Sequence, residues 1–316
     1  MARAGAAYYA GRDPYADFTT APEIAQAFGE VLGAWAAVVW QGIGRPDPVL
    51  LAEAGPGRGT LMADALRAVR RVAPDFAASL RLHLIETSPR LRALQAARLP
   101  DAAWHDDLGD LPDGPLILLA NEFLDALPIR QFVRRGAGWT ERHVDAGRLV
   151  ERPAGPCSRV APEGEVVEIC EAALAVARTL GARLAGDGGA ALFLDYGPTE
   201  SAPGESLQAL RDGRPADPLA EPGRADLTAH VDFAAFAAAA RHAGATVHGP
   251  LPQGLFLARL GLFRRTDRLA SGKHPAQALA LIEAARRLAE PDRMGRLFNA
   301  LALTPPGAPV PPGFEP

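Results

Sequence analysis

The stretch from Leu50 to Leu61, LLAEAGPGRGTL, constrains the fold of this 316-residue chain more than any other. An apolar run from Pro48 to Ala52 has the length of a buried strand and leads into an acid, Glu53. Three alternate glycines follow, Gly55, Gly57 and Gly59. Leu61, Ala65, Leu66, Val69 and Val72 then recur at helical spacing. Strand, glycine turn and helix together frame a nucleotide-type site at the carboxyl end of a parallel sheet. Glycine lets the backbone turn tightly and lets a ligand lie against bare main chain.

The spacing narrows the ligand. G-x-G-x-G is not the dinucleotide fingerprint, and no lysine makes it a P-loop. A carboxylate at the strand tip repels a pyrophosphate and suits a cation. E-x-G-x-G-x-G is the pattern that class I methyltransferases use for S-adenosylmethionine, which carries an ammonium and a sulfonium.

Composition removes other classes. The formal net charge of −4 implies no polyanion-binding field, so no nucleic-acid partner is expected. Cys157 and Cys170 have no metal spacing and fit free thiols in a reducing compartment, and the seven histidines form no zinc-type pattern. Apolar stretches such as Val31–Trp40 and Phe233–Ala240 are too short to span a bilayer. No basic-then-apolar leader is visible, so a cytoplasmic protein without membrane insertion is expected.

Along the chain, three of the four tyrosines, Tyr8, Tyr9 and Tyr15, fall near the start, as packing of a strap on the core or as a lid. Thr20 and Glu23 read as a capping box, opening a helix with Ile24, Phe28, Val31, Leu32, Trp35 and Val39 on one face. Leu80–Ile85 is a second strand ending at Glu86, placed to accept two ribose hydroxyls. A helix from Ser88-Pro89 turns Leu91, Leu94 and Leu99 inward. A third strand near Ala103–His105 ends in Asp106 and Asp107, either of which could take an adenine amino group. Pro115–Ala120 is a fourth, fully apolar strand that opens into Asn121-Glu122-Phe123-Leu124-Asp125.

Ile129–Pro153 alternates with glycine turns and reads as an antiparallel β excursion. A long helix is expected over Val166–Leu184, then a strand over Ala190–Leu194 ending in Asp195-Tyr196-Gly197. Pro198–Asp226 reads as a long, turn-rich connection over the carboxyl edge of the sheet. Asp226–Phe233, with His230, caps an alanine-rich helix, and strands follow at Ala245–His248 and Arg296–Leu303.

Seven segments carry a resemblance across almost the whole chain: DFTTAPEIAQAFGE, EAGPGRGTL, LIETSP, ANEFLDALPI, LDYG, DLTAHVDF and QGLFL. In this order they resemble the MidA-type methyltransferases, whose mitochondrial member is the arginine methyltransferase that assists assembly of respiratory complex I. The resemblance implies an α/β, Rossmann-like class I methyltransferase fold, with a seven-stranded, mostly parallel sheet, an antiparallel β insertion and helical additions. With the pattern along the chain, one domain is expected over residues 1–304, with insertions near 129–153 and 198–232, and the proline-rich composition of 305–316 reads as a loose tail. The resemblance also implies S-adenosylmethionine as methyl donor and a protein arginine as acceptor. Carried over, the cofactor loop falls on Glu53, Gly55, Gly57 and Gly59, the ribose acid on Glu86, and the acidic turn on Glu122 and Asp125. Two departures lie at the start: Ala7 stands where the family has glycine, and Gly11–Ala16 lacks the usual glycine before Asp17.

Methyl transfer is an in-line displacement, so the protein mainly aligns the nucleophile, excludes water and supplies charge. Arginine is a poor nucleophile because its lone pairs are delocalised and its pKa exceeds ~12. Two carboxylates can grip the guanidinium and aim one nitrogen at the methyl; Glu122 and Asp125, three apart, would share a face of a helical turn. The bland alternative pairs Asp125 with Arg130. Asn121 could contact the methionine end of the cofactor, with Asp107 at adenine, and Tyr196 and His230 could line the acceptor channel. Two rival readings are a small-molecule methyltransferase and a cofactor-binding assembly factor without transfer.

Overall fold

The computed structural model describes residues 1–11, 19–157 and 159–316. Helix α1 (Ala2–Gly11) comes first, then α2 (Ala21–Ile24), α3 (Gln26–Gly42), β1 (Val49–Ala54), α4 (Thr60–Val72), α5 (Pro74–Ser79), β2 (Leu80–Ile85), α6 (Pro89–Arg98), β3 (Ala103–His105) and β4 (Leu116–Asn121). The chain then leaves the central sheet through β5 (Arg130–Arg135), β6 (Gly138–Asp145), β7 (Arg148–Ala154) and β8 (Val166–Ile169), and returns by α7 (Glu171–Asp187) to β9 (Gly189–Tyr196). A second excursion holds β10 (Gln208–Arg211), β11 (Arg214–Ala216) and β12 (Asp226–Thr228). The rest is α8 (Phe233–His242), β13 (Thr246–Pro252), α9 (Gln253–Arg259), α10 (Leu262–Ala270), α11 (Pro275–Ala289), α12 (Met294–Leu297) and β14 (Phe298–Thr304).

Seven strands form the central sheet in the order β13-β14-β9-β4-β1-β2-β3, with β14 alone running against its neighbours. This is a Rossmann-like fold with antiparallel insertions and helical additions. β1 and β4 are buried along their whole length, which is why both read as near-continuous apolar runs. Their side chains alternate between two cores. Val49, Leu51, Ile117 and Leu119 face α3 and α4, while Leu50, Ala52, Leu116 and Leu118 face α7 and α8. Glu53 and Asn121 continue the first series, so both tip residues fall on the α3–α4 side. The chain runs outward from β1 to β3 and returns to β4 on the other flank of β1. Ligands bind at such a reversal of strand order, outside the carboxyl ends. Gly33 lets α3 lie close to α4: a Cβ there would meet the Ala65 carbonyl oxygen at 2.7 Å.

Several expectations are corrected. Val166–Ile169 is not the start of the long helix but a strand paired with β5; the helix begins at Glu171, capped by Cys170 Sγ. Thr20 makes no capping bond, its would-be partner Glu23 being held by Thr60 at 2.5 Å, and the helix breaks at the extended Ala25. Leu94 is exposed rather than inward. The 198–232 connection carries a small three-stranded sheet, β11-β10-β12, where one amphipathic piece was expected.

The tail over 305–316 is not loose. Phe314 packs on Phe256 with ring centroids 5.1 Å apart, Trp35 Nε1 donates to the Pro312 carbonyl, and Arg259 donates to the carbonyls of Gly313 and Glu315. The tail's aromatic and backbone groups thus complete the core beside α3 and α9. Of the N-terminal segment, Tyr15, Asp17 and Phe18 lie outside the described residues, whereas Tyr8 is fully buried.

Candidate active site

A cavity of about 740 Å³ opens at the carboxyl ends of β1, β2 and β4, the size of a small-molecule site. Glu53, Gly55, Gly57, Glu86, Asn121 and Glu122 lie in its wall. The three glycines have φ of +66°, +54° and +75°, the left-handed region that side chains disfavour. At Gly55 a Cβ would also stand 3.1 Å from the Phe123 ring. Gly55 and Gly57 therefore present bare main chain to the cavity, whereas Gly59, expected at the cofactor, is not in its wall and backs onto Leu99 and Gln95, where a Cβ would stand 3.2 Å from the Leu99 side chain.

Glu53 and Asn121 fit a cation. Glu53 is fully enclosed; one oxygen takes the Met62 N–H and the other, Oε2, has no partner. Burial pushes its pKa up to about 8. Asn121 is 7% exposed, and its amide donates to Glu122 Oε1 at 2.9 Å while its carbonyl oxygen is left without a donor. Two buried acceptors on adjacent strand tips lack donors, and an ammonium group supplies them.

Glu86 accepts the Ser88 N–H at 2.7 Å, and burial raises its pKa. Asp106 is paired with Arg92 at 2.6 Å, whereas Asp107 accepts the Gly109 N–H and caps the 3-10 turn that follows. Both line the cavity, with Leu108 beside them. Gln95 was missed from the sequence. It is fully buried on the inner face of α6, donates to the Gly57 carbonyl at 2.8 Å and to Glu86 at 3.4 Å, and accepts from Trp104 Nε1. The signal was present: an amide four residues after the inward Leu91 on an otherwise apolar face.

The acidic turn after β4 is not helical. Glu122 has φ +50°, a conformation that costs a non-glycine residue about 1–3 kcal/mol. It is held there by its own N–H on the Leu194 carbonyl and by the Ala21 N–H, at the start of α2, on its Oε1. Asp125 lies behind the cavity wall, not in it. Asp195 accepts the N–H groups of Leu124, Asp125 and Tyr196. Asp125 meets the Tyr196 hydroxyl, and its Oδ1 is buried without a partner. Burial and the neighbouring charges of Asp195, Glu122 and Asp226 raise the Asp125 pKa well above the usual carboxylate range. Arg130 pairs with Glu141 instead of Asp125.

Tyr196 and His230 stand ring to ring at 5.5 Å, but neither lines the large cavity. Tyr196 is turned toward Asp125 and Gln208, and His230 is an exposed residue beside a separate void of about 20 Å³. The turn after β12 carries His230 past the cavity toward the start of α8. Met1 and, from helix α1, Ala2, Gly5, Ala6 and Tyr9 contribute to the large cavity's wall.

Sheet order, glycine turn and paired orphan acceptors define a class I methyltransferase whose methyl donor is S-adenosylmethionine. Residues 31–251 match the family described as "Putative S-adenosyl-L-methionine-dependent methyltransferase", and the chain belongs to that family. It is 35% identical to the protein arginine methyltransferase NDUFAF7 homolog of Drosophila melanogaster, over 95% of this chain and 78% of the fly protein. It is 33% identical to the protein arginine methyltransferase NDUFAF7 of Homo sapiens, over 94% of this chain and 76% of the human protein. A crystal structure of a superfamily member from Burkholderia thailandensis, bound to S-adenosyl-homocysteine, superposes with a TM-score of 0.75 at 29% identity, covering 95% of this chain and 80% of the other.

These relatives correct the cytoplasmic placement expected from the sequence: the fly and human proteins are both mitochondrial. The missing leader pattern was no guide to compartment. Among the described residues no helix is long and apolar enough to cross a membrane.

Proposed function

We propose that the enzyme methylates an arginine side chain of a protein acceptor, with a respiratory complex I type subunit as the acceptor class suggested by the resemblance. S-adenosylmethionine supplies an electrophilic methyl when bound. In this reading Glu53 and Asn121 hold the ammonium of the donor, the Gly55–Gly59 turn lies against it, Glu86 takes the ribose and Asp107 the adenine side. Glu122 and Asp125 hold the acceptor guanidinium, localise its charge and aim one terminal nitrogen at the methyl.

The observation that carries the reading is a group of buried carboxylates at the cavity, with Glu122 in its wall and Asp125, whose Oδ1 has no partner, behind it. Glu122, Asp125 and Asp195 are bonded to backbone N–H groups, an amide and a tyrosine hydroxyl, and none of the three forms an ion pair among the described residues. Buried carboxylates normally have a cation or lose their charge. A guanidinium is such a cation, and its planar fork suits more than one carboxylate. The relatives named as protein arginine methyltransferases support the same class.

Single-turnover transfer by Glu122→Gln, Asp125→Asn and the double variant tests it. A charge-assisted hydrogen bond is worth roughly 1.5–3 kcal/mol, so each single change slows transfer about ten- to hundredfold. Two groups acting on one guanidinium are non-additive, so the double variant is little slower than the poorer single. Near-normal transfer by Glu122→Gln would move the acceptor to a small molecule.

A further inference from the structure

Beside Glu53, Glu86 and Glu122, the cavity wall holds a fourth glutamate, Glu23 of α2. It is half-buried, and the Thr60 hydroxyl at the start of α4 donates to its Oε1 at 2.5 Å. Arg98 donates to that hydroxyl at 2.5 Å, and a guanidinium can only donate, so the hydroxyl hydrogen is directed at Glu23. The same first turn of α4 gives the Met62 N–H to Glu53. Two residues before Glu23, the Ala21 N–H donates to Glu122 Oε1 at 3.1 Å. One short helix therefore ties Glu23 and Glu122 to the same wall.

Each of these two carboxylates keeps one oxygen free. Both bonds to Glu122 fall on Oε1, as does the single side-chain bond to Glu23. Among the described residues no hydrogen bond or ion pair reaches Oε2 of either. The Arg287 charge is felt at Glu122 but makes no bond to it. Glu53 Oε2 and Asn121 Oδ1, both buried and without donors in the same wall, are the independent sign that ligands rich in N–H groups belong there. An ammonium has three such donors, which those two acceptors largely use; a guanidinium brings five more in a rigid fork. Charge points the same way. The methyl donor's ammonium, sulfonium and carboxylate sum to a single positive charge, which Glu53 can balance, and Glu23 and Glu122 are left facing the cavity without a cation.

We propose that Glu23 is an acceptor-binding residue, which with Glu122 grips the guanidinium from the cavity side while Asp125 backs it from behind the wall. The proposal rests on the arginine reading above and adds to it a specificity-determining carboxylate from α2. A guanidinium bonds two carboxylates by charge-assisted hydrogen bonds that a neutral acceptor of the same shape cannot match. The Thr60 bond holds the Glu23 side chain before the acceptor arrives, so less freedom is lost when it binds.

The test is calorimetric and NMR titration of the full chain, saturated with S-adenosyl-homocysteine, with ethylguanidinium and with its neutral isostere N-ethylurea. The wild type should prefer ethylguanidinium. Glu23→Gln keeps an oxygen for the Thr60 hydroxyl and removes the charge. It should weaken ethylguanidinium about tenfold or more and leave N-ethylurea and S-adenosyl-homocysteine within about twofold of wild type. A structural role would weaken both probes together, and a place at the donor's ammonium would weaken S-adenosyl-homocysteine instead; either result overturns the proposal. Ethylguanidinium binding within about twofold of wild type overturns it too. Should Glu23→Gln fail to fold, Glu23→Asp keeps the charge and draws it back by one methylene. A loss of about threefold or more for ethylguanidinium alone is then expected, and an equal response of the two probes overturns the proposal. If Glu122→Gln loses ethylguanidinium while the Glu23 variants do not, the proposal fails and the arginine reading stands. A wild type that binds both probes equally overturns both.

Discussion

Gln95 donates a side-chain hydrogen to the carbonyl of Gly57 at 2.8 Å, stitching helix α6 to the glycine turn 38 residues earlier. Its second amide contact reaches Glu86, so one buried side chain sets both the turn and the ribose acid. Gln95→Leu keeps the volume roughly but strands the Gly57 carbonyl and the Trp104 N–H. An unmet buried polar group costs about 1–3 kcal/mol, so S-adenosyl-homocysteine affinity should fall about tenfold or more. Unchanged affinity by calorimetry in a folded variant would contradict this.

Glu53 makes cofactor binding pH-dependent. Its folded pKa is about 8, against roughly 4.3 for an unfolded glutamate. The raised value means that the neutral carboxyl stabilises the empty protein at low pH, and that this contribution is lost as pH rises toward 8. A bound ammonium favours the ionised form. Binding of S-adenosyl-homocysteine at pH below 8 should therefore release close to one proton, and affinity should rise about tenfold per pH unit up to that point and then level. Calorimetry at pH 7 in buffers of different ionisation enthalpy reads the release directly. Glu53→Gln should abolish it, and equal release by that variant would assign the proton to another group.

Gly57 has φ +54°, and a β-branched residue is an outlier there. Gly57→Val should strain the turn by roughly 1–3 kcal/mol and move the carbonyl that Gln95 holds. Cofactor binding should be lost while the far-ultraviolet dichroism stays native. A folded Gly57→Val protein with wild-type cofactor affinity would overturn the placement of the turn.

Phe314 anchors the C-terminal segment on Phe256. Phe314 is partly buried against the core, and Phe314→Ala should destabilise the protein by about 1–2 kcal/mol. Urea unfolding measures this, and an unchanged midpoint would show the segment to be dispensable.

The central sheet was legible because strands buried on both faces leave continuous apolar runs, and Glu53, Glu86 and Asn121 were legible as the polar residues that end them. Where tertiary contacts overrode local pattern, the sequence misled. Thr20 and Glu23 spell a capping box, yet Thr60 takes Glu23 and the Ala21 N–H goes to Glu122. Val166–Ile169 runs into a helix without a break in apolar character, and a four-residue run cannot by itself distinguish strand from helix. The three-residue spacing of Glu122 and Asp125 suggested one helical face. The left-handed backbone at Glu122 instead turns that side chain to the cavity and leaves Asp125 behind it. Tyr9 and Asp226 are 217 positions apart, a pairing that no local pattern carries.

The most direct measurement of the central claim is the chemical fate of the transferred methyl. The protein is incubated with S-adenosylmethionine labelled in its methyl group and a lysate of the source cell, and the labelled protein fraction is hydrolysed in acid. The account predicts label in methylarginine, appearing about ten- to hundredfold more slowly when Glu122→Gln replaces the wild type. Label confined to small molecules, or to an amino acid other than methylarginine, would contradict it.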